Sequence, residues 1–176
     1  CYHARFPEVE IHIETDTAGG LIQRLNSKEI DAAFIAEPVS VDGLASEPVF
    51  LEELMLVAPA TFAAMTKDHL DGETIVAFEE GCAYRRYLND WLSENGIHPR
   101  GTISVGSYLA ILACVAAGTG FAVVPRSVLD TITTNGEFKI EKLPGRYARI
   151  KTLLVWRDGY VSPKLKALRK LLPRVR

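Results

Sequence analysis

The stretch Ser104 to Pro125, SVGSYLAILACVAAGTGFAVVP, constrains the fold more than any other part of the chain. It reads as the end of a strand, a small-residue helix over Tyr108 to Ala117, a turn at Gly118 and Gly120, and a second strand from Phe121 to Val124. The helix is apolar almost all round, with Leu109, Ile111, Leu112 and Val115, so it is expected to pack on most of its circumference. A strand, a helix and a strand this close together imply a right-handed crossover and a parallel sheet. Ligands of such sheets collect at the carboxyl ends of the strands, here Gly106-Ser107 and Val124-Pro125. The bland alternative is a buried βαβ core with no site at all.

The segments before it repeat the theme. Pro7 ends a short helix, and Val9, Ile11 and Ile13 alternate with polar residues as in a half-buried strand. Thr15, Asp16 or Thr17 can cap a helix carrying Leu21, Ile22 and Leu25, whose free N–H groups would suit an anion. Ile30 to Ile35, IDAAFI, is nearly all apolar and is expected to be a central parallel strand ending at Ala36-Glu37-Pro38. Leu44 to Phe50 and Glu53 to Pro59 read as two extended segments, Ala60 to Asp68 as a short helix and Leu70 to Thr74 as a linker. A second unit opens at Ile75 to Phe78, turns through Glu79 to Ala83 and continues as a helix that Gly96 and Pro99 close. Its stripe of Tyr84, Tyr87, Leu88, Trp91 and Leu92 is a packed face. Arg85 and Arg86 stand in the first turn, where the helix dipole disfavours cations, which hints that one of them serves an anion. Cys82, at the start of that helix, is either a reactive thiol or an inert small residue.

Past Pro125, Arg126-Ser127 begins a short helix and Asn135-Gly136 marks a turn. Phe138, Ile140 and Leu143 alternate as a strand, and Ile150 to Arg157 form a longer apolar one. Ser162-Pro163 opens an amphipathic helix with Leu165, Leu168, Leu171 and Leu172 inward. Lys164, Lys166, Arg169, Lys170 and Arg174 form its solvated basic face. Two lobes result: residues 1–72 with 150–176, and residues 73–149. That is the layout of a small-molecule binding module with its site in a cleft.

Composition excludes several alternatives. A formal net charge of −2 gives no footprint for nucleic acid. Three cysteines at wide spacing, Cys1, Cys82 and Cys114, argue for a reducing compartment and against a disulfide framework or zinc site. No apolar run reaches the ~18 residues of a membrane span, and no leader opens the chain, so a cytoplasmic location is expected. GxSxG, GxxxxGK[ST], GxGxxG and HExxH are all missing, and the four histidines are scattered. No enzyme, no cofactor and no metal site are expected. The chain opens at Cys1 inside its own helix, which reads as a fragment.

The order of FPEVEIHIE, LIQRLNSKEIDAAFI, LVAP, FEEGCAYRRYLNDWLSENGIHPR, AILACVAAGTGFAVVPRSVL and LLVWR resembles the effector-binding domain of LysR-type transcriptional regulators over nearly the whole chain. The resemblance implies an α/β fold of two Rossmann-like lobes of the periplasmic-binding-protein type II kind, joined by two crossover segments around a ligand cleft. It implies a winged helix-turn-helix outside this segment, so DNA is a partner only through that part. The family's first strand is not matched. The implied ligand contacts are Thr15 and Thr17, Ala36 and Pro38, Gly81, Cys82, Tyr84 and Arg85, Gly106 and Ser107, and Val124 and Pro125. Thr17, Ser107 and backbone N–H groups would bind a small anionic effector, with Arg85 as the charged partner. A homodimer is expected, tetrameric in the full-length protein, with the first helix and the Tyr84–Leu92 helix as interface. A solute-binding protein of a transport system and a small enzyme using Cys82 are the rival readings.

Overall fold

The three-dimensional structure, a computed structural model, describes residues 2–132, 136–173 and 175. In chain order its elements are α1 (Tyr2–Arg5), α2 (Ala18–Asn26), β1 (Ala32–Ala36), β2 (Leu44–Pro59), α3 (Lys67–Leu70), β3 (Thr74–Ala77), α4 (Ala83–Glu94) and β4 (Gly101–Ser104). They continue as α5 (Tyr108–Ala116), β5 (Ala122–Pro125), α6 (Arg126–Leu129), β6 (Phe138–Lys142), β7 (Arg149–Arg157) and α7 (Pro163–Leu171), with a 3-10 turn over Gly145–Ala148. They form two compact units, one of Cys1–Leu51 with Lys151–Arg176 and one of Glu52–Ile150.

In the first unit β1 runs antiparallel to β7, from Ala32 opposite Trp156 to Ala36 opposite Thr152. Strand alternation then sorts the side chains onto two faces. Ala33, Ile35 and Val155 meet Leu25 of α2 on one face. Val49, Leu154 and Trp156 meet Leu165 of α7 on the other. Arg157 ties the end of α2 to the strand layer, its Nη1 donating to the carbonyls of Leu25 and Ile30 at 2.7 Å each. The guanidinium of Arg169 lies over the Trp156 ring at 4.3 Å and grips both oxygens of Glu47.

The second unit is a mixed sheet. β3 pairs parallel with β4, and a parallel bridge joins Ile75 to Phe121 just before β5. The second half of β2 lies antiparallel between β5 and β6, with Leu54 opposite Pro125 and Pro59 opposite Phe138. Ala122 and Val124 point with Met55, Val57 and Val76 into a core closed by Ile111, Leu112 and Val115 of α5. Helix α4 packs against β5, and its Ala83, Leu88, Trp91 and Leu92 are buried. Gly118, at φ 83°, ends α5: its N–H donates to Val115 and that of Thr119 to Cys114, the paired bonds of a Schellman cap. Gly120 has a different reason to be glycine. A Cβ there would collide with the Thr74 carbonyl, which accepts the Phe121 N–H at 3.0 Å and stitches β5 to β3.

Several expectations are corrected. The Val9–Glu14 stretch forms no strand, and residues 10–17 are all exposed. Its alternation supplies the side chains of a strand, yet no neighbouring backbone pairs with it among the described residues. β1 is antiparallel to β7 and stands at the end of the strand order instead of at its centre, which leaves Phe34 46% exposed. The two extended segments are one continuous strand, β2, and the helix expected over 60–68 is reduced to α3. LMLVAP belongs to the second unit because Leu54–Val57 pair with β5, so the unit changes at 51/52 rather than at 72/73. α5 is not packed all round: Leu109 is 69% exposed. Leu171 is exposed too, while Leu165, Leu168 and Leu172 face the core. The expected turn residue Asn135 and the basic Arg174 lie outside the described residues.

Candidate functional site

Parallel pairing brings the carboxyl ends of β3, β4 and β5 to one edge of the second unit, and antiparallel β2 enters at that same edge. Helices α4, α5 and α6 therefore begin there. Cys82 is the N-cap of α4 without a side-chain bond to the helix, and Gly81 precedes it at φ 92°. The first ladder bond of α4 runs from Arg86 N–H to Cys82 O, so the N–H groups of Ala83, Tyr84 and Arg85 lie outside the helix's own ladder. Ser107 caps α5, its Oγ accepting from Ala110 N–H at 3.2 Å, and Gly106 lies exposed in the turn before it. Neither helix has an acidic residue in its first turn.

Aromatic side chains join these two helix starts. Tyr108, first residue of α5, meets Phe78 edge-on at 4.9 Å between ring centroids and stands 6.4 Å from the Tyr84 ring of α4. Burial, reinforced by Tyr84, Cys82 and Glu52 beside it, raises the Tyr108 phenol far above its ordinary range, so its hydroxyl stays protonated. Glu52 accepts from Ser127 Oγ at 2.7 Å. Its neighbour Glu53 is held by Lys142 and by Arg126 Nε at 2.7 Å, and those two hydrogen bonds lower its carboxyl to about 2. Tyr108, Phe78, Glu52 and Glu53 were not among the residues singled out from sequence. The only signal was that Tyr108 follows the Ser107 cap; the glutamates come to this edge through antiparallel pairing that no local pattern reports.

The expected contacts fare differently one by one. Gly81, Cys82, Tyr84, Gly106 and Ser107 gather at this edge. Val124 and Pro125 end β5 there, but both are buried, Val124 completely, so neither presents an exposed surface at the edge. The side chain of Arg85 is 14% exposed and committed: Nη1 donates to the Phe78 carbonyl at 3.1 Å and to Ser104 Oγ at 3.2 Å, and Nη2 lies 3.6 Å from Glu80. It latches the ends of β3 and β4 together.

In the first unit Thr17 is the N-cap of α2, its Oγ1 accepting from Gly20 N–H at 3.1 Å, while its own N–H donates to Asp16 Oδ1 at 2.7 Å. The Asp16 carboxylate already occupies the helix start, since it fills the space a Cβ on Gly20 would need. Thr15 is exposed in the loop before it. Ala36 ends β1, and the Glu37–Pro38 peptide bond that follows is cis. Ala18 and Val39, next in chain to Thr17 and Pro38, pack in one cluster, so both loops lie on the same side of this unit.

Comparison with known proteins agrees with this architecture. A family model described as the LysR substrate binding domain matches residues 2–175. The chain is 30% identical over 168 residues to the HTH-type transcriptional regulator GltR of Bacillus subtilis, covering 94% of this chain and 57% of that protein. It thus spans under two thirds of that relative's length. Among solved structures it is similar to the regulatory domain of CcmR from Synechocystis PCC6803 in complex with 2-PG, at a TM-score of 0.83 and 18% identity over 97% of this chain and 85% of that one. It is also similar to the reduced regulatory domain of OxyR2 from Vibrio vulnificus, at 0.78 and 22% over 96% and 81%. These likenesses show the mixed α/β fold of LysR regulatory domains, and the matched relatives leave the transport reading without support. With the sheet order, the helix starts at one strand edge and the family match in agreement, the chain belongs to the LysR substrate-binding domains.

Proposed function

We propose that this chain is the sensing part of a cytoplasmic HTH-type transcriptional regulator and that it binds a small anionic effector at the strand edge of its second unit. The observation that carries the reading is the meeting of the α4 and α5 starts at Tyr84 and Tyr108, with no carboxylate in either first turn. Unladdered N–H groups and the dipoles of two helices favour an anion there. The protonated Tyr108 phenol, the Tyr84 hydroxyl and Ser107 add directional hydrogen bonds. Arg85 acts as a positioning residue for the loop, and Thr15, Thr17, Ala36 and Pro38 are proposed contacts of the first unit's own edge. The family is one of regulators, which fits binding without turnover. DNA contact is assigned to sequence outside this segment.

The test is Cys82→Asp in the complete chain, with calorimetric titration of a panel of small carboxylates and phosphates. An aspartate N-cap is good for helix α4 and should raise its stability by roughly 0.5–1 kcal/mol. The same carboxylate repels an anion at the helix start, so affinity should fall about tenfold or more. A stabilised variant that binds as the wild type does would remove this site from consideration.

A further inference from the structure

We propose that the groove between α1 and the outer side of α7 docks an acidic amphipathic helix of a protein partner. The groove lies within the first unit, encloses about 690 Å³, and is lined by Arg5, Phe6, Pro163, Lys166, Ala167, Lys170 and Leu171. Helical spacing makes its walls regular. Pro163, Ala167 and Leu171 recur every four residues and form an apolar rail, flanked by a basic rail of Lys166 and Lys170. This apolar rail is separate from the inner face of α7, where Leu165, Leu168 and Leu172 close the core. Leu171 is 36% exposed, although a leucine on an amphipathic helix is normally buried. On the opposite wall the Tyr2 and Phe6 rings meet tilted, 5.0 Å between centroids, and Tyr2 Oη donates to the Lys164 carbonyl at 3.1 Å, which fixes α1 beside α7.

Charge selects the occupant. Among the described residues three cations line the groove, no carboxylate does, and none of the three is in an ion pair. Nucleic acid would need only the cations; the apolar rail and Phe6 would then stay uncovered. An acidic helix with apolar residues at i, i+4 and i+7 satisfies both rails, since its apolar face seats on Ala167 and Leu171 while its carboxylates reach Arg5, Lys166 and Lys170. At nine residues α7 offers roughly 13 Å of rail, enough for two turns or more of such a helix.

Fluorescence anisotropy on the complete chain tests this, using a labelled helix-forming peptide of about 15 residues with Leu at the anchor positions and Glu elsewhere. Saturable binding is expected, weakened about tenfold in the double variant K166E/K170E and restored when that variant meets a Lys-for-Glu peptide. Both lysines are exposed, so the variant should fold, and L171E provides a second variant that attacks the apolar rail alone. Equal binding by either variant, equal binding of a scrambled peptide, or no saturation up to about 1 mM overturns the proposal. Binding of duplex DNA or anionic vesicles in place of the peptide overturns it as well.

Discussion

Arg85 shows how a residue that is unfavourable locally can be favourable in context. Standing in the first turn of α4, it opposes the helix dipole by a few tenths of a kcal/mol. The 3.1 and 3.2 Å bonds to the Phe78 carbonyl and Ser104 hydroxyl outweigh that, because a charged donor satisfies two groups at once. Arg85→Ala should destabilise the fold by about 1–3 kcal/mol in urea unfolding, and Arg85→Lys should recover only part, since one ammonium cannot face the Phe78 carbonyl, the Ser104 hydroxyl and Glu80 as two guanidinium nitrogens do. A variant as stable as the parent would deny the latch. Glu53 makes a pH-dependent contribution. Its folded carboxyl titrates at about 2 against an ordinary 4.5, so the stabilisation is full above about 4.5 and is lost as pH falls toward 2. Glu53→Gln should lower the unfolding temperature at neutral pH, and the gap to wild type should close across that acid window. A gap that persists at pH 2 would contradict the assignment.

Among elements, the β4–α5–β5 stretch was readable because its signals are local: a serine cap, an apolar helix and a glycine stop. The ends of that stretch were also readable, since a cap and a strand end sit next to each other in sequence. What sequence did not report is how much of α5 would be covered, because Leu109 looks the same on a packed face and on an open one. Gly120 likewise passes for a turn residue until the Thr74 carbonyl is seen against it. Gly120→Ala should cost about 2–4 kcal/mol, the sum of overpacking and a lost strand bond, measured by chemical unfolding. A loss under half a kcal/mol would mean that β5 can shift away from β3. The Val9–Glu14 stretch makes the converse point, for alternation alone does not form a strand without a backbone to pair with.

At the scale of the molecule, the homodimer that the family resemblance implies would find an exposed apolar face on α5. Leu109, Ala113 and Ala116 lie at i, i+4 and i+7 and are exposed, and Ile103 on β4 is 40% exposed. Helix α4, the other candidate beside α1, keeps Leu88, Trp91 and Leu92 buried and turns Arg86, Asn89 and Asp90 outward. Leu109→Glu should weaken self-association of the complete chain about tenfold or more in sedimentation equilibrium while the dilute, monomeric variant stays folded by circular dichroism. An unchanged association constant would move the interface elsewhere.

By itself the sequence determined the class and most helix starts, since caps, glycine stops and hydrophobic period act over a few residues. It also named most of the second-unit edge, Gly81 to Tyr84 and Gly106-Ser107, because those residues end strands and begin helices. Only the tertiary structure decided which strands pair. Pairing joins residues far apart in sequence: Leu54 to Pro125, Ala32 to Trp156, Ile75 to Phe121. That is why β2 runs through both units, and why Glu52 comes to Phe78 and Tyr108 at the edge where Ser104 to Pro125 ends.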